Sequence, residues 1–84
     1  MKFTVVWLAG AEQELAGLWT AAADRGLIAA AADQIDAALA RDPALFGESR
    51  GGNTRIAIVA PLAVLFDIDE PNRRVTVWDL WRWQ

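Results

Sequence analysis

Cysteine, histidine and tyrosine are missing from this 84-residue chain. Without cysteine there are no disulfide staples, no thiolate chemistry and no Cys/His zinc sites. Without histidine, neither Ser-His-Asp nor Cys-His nucleophile systems can be built. Proton transfer must fall to Asp, Glu, Lys or water assisted by arginine. Long hydrophobic runs are also missing, since no stretch approaches the ~18 apolar residues that open a membrane span. The apolar run near the N-terminus, Met1 to Leu8, is too short for a secretory leader and has no clean cleavage site. A cytoplasmic location is expected, with no metal, no cofactor and no membrane partner.

What is present is apolar. Hydrophobic residues make up 55% of the chain, which excludes a disordered tail. One domain, 1–84, is expected, because a second core needs roughly 50 more residues. A domain this small buries only about 60% of its unfolded surface, so its core alone is marginal. The five tryptophans are the remaining lever, since a large aromatic can bury roughly 150–250 Å². Trp7 and Trp19 are expected in the core, and the Trp81/Trp83 end is a candidate contact surface.

Periodicity lays out the elements. Residues 2–8 read as a strand with two largely apolar faces. Residues 10–24 read as a helix carrying Leu15, Leu18, Trp19 and Ala22 at helical spacing. Gly26 is the candidate left-handed stop. Residues 27–41 read as a second helix with a stripe of Ile28, Ala31, Ala32, Ile35, Ala38 and Leu39. Asp42-Pro43 ends it, because the residue before proline disfavours helical geometry. Residues 44–53 read as a loop. Residues 54–59, 62–69 and 74–83 read as three strands joined by short turns, a meander.

The expected architecture is α+β in two layers, ordered β-α-α-β-β-β. A helical hairpin packs on one face of a four-stranded antiparallel sheet, and the first strand pairs antiparallel with an edge of the meander. Two helices cover one sheet face and leave the other bare. Alternation places Ala57, Val59, Leu65 and either Trp78/Leu80 or Val77/Trp81 on that bare face. An uncovered apolar face suggests a partner surface.

The element order and several local patterns resemble the RelE/ParE superfamily of type II toxin–antitoxin toxins. The patterns are Phe3 to Trp7, Ala11-Glu12-Gln13-Glu14-Leu15, Ile35-Asp36-Ala37-Ala38-Leu39, Asp42-Pro43 and Gly47-Glu48-Ser49. They continue with Arg55-Ile56, the run from Pro61 to Asp69, and the closing Val75, Val77, Trp81 and Arg82. The resemblance covers nearly the whole chain. It implies a growth-inhibiting toxin, of the kind linked to plasmid stabilisation, held inactive by a cognate antitoxin whose extended segment wraps it. It also implies one of two actions: ribosome-dependent mRNA cleavage, or poisoning of DNA gyrase. A catalytically degenerate member that only binds its antitoxin is the alternative.

Charge is divided along the chain. Residues 1–48 hold three basic and seven acidic residues, whereas 49–84 hold five arginines and four acidic residues. Arginine suits bidentate phosphate recognition. For RNA cleavage, Arg55 and Arg82 are the candidates to stabilise phosphorane charge. Glu48 is the candidate base, and Arg50, Asn53, Arg74, Trp81 and Trp83 are candidate target-binding residues. A tryptophan stacked on an unpaired base contributes roughly 1–3 kcal/mol. Gyrase binding asks instead for a complementary surface, and Trp and Arg dominate such hot spots.

Overall fold

The structure is a computed structural model and describes residues 2–83. The elements run β1 (Thr4–Trp7), α1 (Ala9–Ala21), α2 (Arg25–Arg41), α3 (Pro43–Phe46), β2 (Glu48–Ser49), β3 (Thr54–Val59), β4 (Leu62–Asp69) and β5 (Arg74–Arg82). The sheet order is β1-β5-β4-β3-β2. No helix among the described residues is long and apolar enough to cross a membrane.

The sheet has five strands, one more than the sequence pattern suggests. The extra strand, β2, lies in the segment expected to be loop, as does the single turn α3 with Pro43 at its start. The consequence is topological. Each successive element reverses the chain, and β2 adds one reversal between β1 and β5. The two therefore run parallel, paired Thr4 with Arg74 through Trp7 with Val77, where an antiparallel pairing was expected. Leu8 N–H donates to the Val77 carbonyl at 2.9 Å, which carries the pairing to the start of α1.

The core lies between α2 and the sheet. Ile28, Ala31, Ile35 and Leu39 meet Leu62, Val64, Phe66 and Ile68 of β4 and Val75, Val77 and Leu80 of β5. Full burial of an aliphatic side chain of this size contributes roughly 1.5–3 kcal/mol. The stripe expected for α2 is the observed one. For α1 the expectation fails in part, because Ala11 is its only buried residue and Trp19 stands 45% exposed. Leu15 and Leu18 pack partly against the core, whereas Trp19 lies beyond it, with the Arg25 guanidinium 4.8 Å from its ring.

The helix break also shifts. Gly26 lies inside α2, and the chain turns at residues 22–24. The end of α1 is closed by Arg25, whose Nε donates to the Trp19 carbonyl at 3.0 Å and Nη2 to the Thr20 carbonyl at 2.9 Å. A cation there satisfies carbonyls that have no intrahelical partner.

Register corrects two assignments to the bare face. Ala57 pairs with Val64 and Val59 with Leu62, so both lie on the helix-covered side. Ile56 and Ile58 take the outer side, opposite Leu65 and Ala63. In β5 a bulge settles the choice that alternation left open. Val77 pairs with Phe66 and Asp79 with Leu65, leaving Trp78 as the extra residue. Val77 and Leu80 thus both reach the core, and Trp78 and Trp81 both face outward.

Candidate functional site

The arginines fall into separate neighbourhoods. Arg55, half-buried at the start of β3, donates from Nε and Nη2 to the Gly47 carbonyl at 3.2 and 2.8 Å. A side chain at Gly47 would stand 2.8 Å from Phe66 Cζ and 2.9 Å from the Ile56 carbonyl oxygen, so only glycine lets this carbonyl approach. Arg50 pairs with Glu48 at 3.4 Å on the same sheet edge, and Asn53 accepts the Ile68 N–H through its carbonyl. Glu48, Arg50, Asn53 and Arg55 therefore lie along one end of the β2–β3 edge, but register turns Glu48 to the outer face with Ile56 and Arg55 to the helix-covered face with Ala57.

Arg82 is elsewhere. It lies at the far end of β5, beside Leu62, which in turn pairs with Val59. Arg55 is four residues back along β3, about 13 Å at strand rise, and two strands across, about 10 Å more. Arg82 donates from Nη1 and Nη2 to the two carboxylate oxygens of Asp24 at 3.0 and 2.7 Å. This hydrogen bonding holds the Asp24 carboxyl below its ordinary range and raises the Arg82 guanidinium. Arg74 is exposed at the opposite end of β5, next to Thr4. Trp81 and Trp83 share the Arg82 end but point away from it by strand alternation.

The outer sheet face is apolar at its centre. Val6, Ile56, Ile58, Leu65, Trp78 and Trp81 line it, with Ile58 45% and Trp78 41% exposed. Asp67 stands among them. Its Oδ1 accepts from Thr54 Oγ1 at 2.7 Å and from Trp78 Nε1 at 3.2 Å. Trp83, 51% exposed, continues the surface past the end of β5.

A second apolar surface opens between α1 and α2. It is a groove of about 550 Å³ with Trp7, Leu15, Trp19, Ile28 and Ala32 in its walls and Glu12, Asp33 and Asp36 in its lining. Trp7 Nε1 donates to Asp36 Oδ1 at 3.0 Å, which fixes the indole at the groove floor.

In sequence, no family model and no curated protein matches the chain. Solved structures do match in shape. A chain of the toxin–antitoxin complex RelBE2 from Mycobacterium tuberculosis aligns over 98% of this chain and 99% of its own, with 20% identity and a TM-score of 0.81. The fold is the RelE/ParE fold. A chain of the chromosomal ParDE system of P. aeruginosa aligns over 99% and 98%, at 11% identity and TM-score 0.74. A chain of the RelE–RelB complex of Pyrococcus horikoshii aligns over 99% and 97%, at 13% and 0.61.

On this RelE/ParE fold, three features escaped the sequence pattern. Asp24 as the partner of Arg82 left no signal, since 58 positions separate them. The Trp78–Asp67 contact depends on the bulge, whose trace in sequence is the broken alternation of residues 74–83. The acidic lining of the groove was legible only as a general excess of carboxylates on the helices.

Proposed function

We propose that this chain is the toxin of a type II toxin–antitoxin pair, that it arrests growth by binding a protein target, DNA gyrase, and that a cognate antitoxin silences it. One observation carries the choice of action. The cations that RNA cleavage needs stand apart, with Arg82 tied to Asp24 and Arg55 to Gly47, while the outer face offers exposed tryptophans and aliphatics. Apolar area with aromatic anchors is the usual chemistry of protein recognition. The helical groove is the seat for the antitoxin: it is concave, apolar and acidic at its lining, and it is separated from the outer face by the sheet.

RNA cleavage is the competing action, with Glu48 and Arg55 as its base and charge stabiliser; the two share one sheet edge, though register turns their side chains to opposite faces. A degenerate antitoxin binder is the remaining alternative. Induced expression in a bacterial host, with and without the neighbouring gene, separates the three. The expected result is growth arrest with filamentation and a DNA-damage response, abolished by co-expression of the neighbour. Early loss of mRNA that disappears in Glu48→Ala and Arg55→Ala variants would establish the nuclease. Absence of arrest while the two products co-purify would establish the silent binder.

A further inference from the structure

The outer sheet face has a charge character that narrows what can sit on it. Strand register puts Glu48, Asp67, Asp69 and Asp79 on this side, with Arg74 at its rim and Arg50 paired to Glu48 at its edge, which leaves carboxylates in excess. Around them lie Val6, Ile56, Ile58, Leu65, Trp78 and Trp81. A phosphate backbone would meet carboxylates. A second copy of the chain, laid face to face, would set carboxylates against carboxylates, which costs binding energy.

One spot is organised. The bulge pushes Trp78 out of the β4–β5 ladder, and bulges re-aim side chains in this way. Its indole N–H then anchors on Asp67 Oδ1, the same oxygen that Thr54 holds. The second oxygen, Oδ2, makes no hydrogen bond among the described residues. An exposed indole face therefore stands beside a carboxylate oriented by two donors. A guanidinium is planar, stacks on tryptophan and bonds carboxylate oxygens, so it answers both groups at once.

We propose that this face docks a cationic, leucine-bearing segment of a protein, with an arginine of that segment stacked on Trp78 and bonded to Asp67 Oδ2. The proposal rests on the reading that the face is the target-binding surface, and it gives that target's contact region a chemistry: basic residues set among apolar ones.

The test uses the full chain, isotopically labelled, titrated with a synthetic peptide of alternating arginine and leucine. A glutamate–leucine peptide and a single-stranded RNA oligonucleotide serve as comparisons. The expected result is a shift of the Trp78 indole N–H signal with the arginine peptide alone. Affinity should fall roughly tenfold in Asp67→Asn, which keeps the acceptor for Thr54 and Trp78 but removes the charge, and further in Trp78→Leu. Circular dichroism on both variants confirms that they fold. Four outcomes would overturn the proposal. The peptide shifts Trp19 in the groove and ignores Asp67→Asn, the acidic peptide binds equally well, the RNA occupies the face, or sedimentation shows a dimer that Trp78→Leu dissolves. Growth arrest on expression without peptide binding sinks this inference and leaves the toxin reading standing; peptide binding without arrest does the reverse.

Discussion

Arg82 and Asp24 are 58 positions apart, yet the two terminal guanidinium nitrogens donate to the two carboxylate oxygens, one each. The pair ties the last strand to the turn between the helices. Its side chains are partly exposed, so its contribution is modest and screened by salt. The pH dependence has a definite sign. The Asp24 carboxyl is lowered from its ordinary value near 3.8, chiefly by its hydrogen bonds to Arg82. Its contribution is fully present above that value and is lost as pH falls through the lower folded-state value. The raised Arg82 guanidinium titrates far above neutrality, so acid titration reports Asp24 alone. An Asp24→Asn variant should melt slightly below the parent at pH 7, and the gap should close as the pH falls through the lowered folded-state value of Asp24. Thermal melts at several pH values check this. A gap that stays constant down to pH 2 would show that the pair contributes through packing and not charge.

At the scale of elements, α1 and α2 differ more than their similar lengths suggest. α2 buries four side chains, Ile28, Ala31, Ile35 and Leu39, whereas α1 buries Ala11 alone. Few buried apolar contacts mean a low free energy of local opening. Backbone amides in α1 should therefore exchange with roughly tenfold lower protection or less than those in β4 and β5. Hydrogen exchange at amide resolution checks this, and equal protection across all three would contradict it. The same contrast explains what was legible beforehand. α2 and β4 follow clean periods of 3.6 and 2, and their buried faces were readable. β3 was readable as a strand, but its faces were assigned the wrong way round, because the smaller Ala57 faces the core and the larger Ile56 and Ile58 face out. Trp19 was misplaced because helical spacing marks a face without saying how far that face extends past the core. β2 was invisible because two polar residues carry no period, and missing it reversed the direction of β1. The Trp78 bulge violates alternation, which is the only signal that alternation reading has.

The whole molecule presents two apolar surfaces on opposite sides of one sheet. The groove between α1 and α2 carries Glu12, Asp33 and Asp36, and the outer face carries Asp67 and Trp78. If the antitoxin occupies the first and the target the second, the two functions separate by mutation. Glu12 and Asp33 are both exposed and pair with no described side chain, so reversing them to lysine disturbs little of the fold. A Glu12→Lys, Asp33→Lys variant should still arrest growth, because the outer face is untouched. It should need more of the neighbouring gene product to be silenced. Lining charges act mainly on encounter, so the association rate with purified antitoxin should drop by roughly tenfold at low salt and converge on the parent at high salt. Binding kinetics at two ionic strengths, run beside the growth assay, measure both quantities. A variant that arrests growth and is silenced as well as the parent places the antitoxin elsewhere. A variant that loses arrest while remaining folded places target binding on the helices, and with it the function assigned to the outer face.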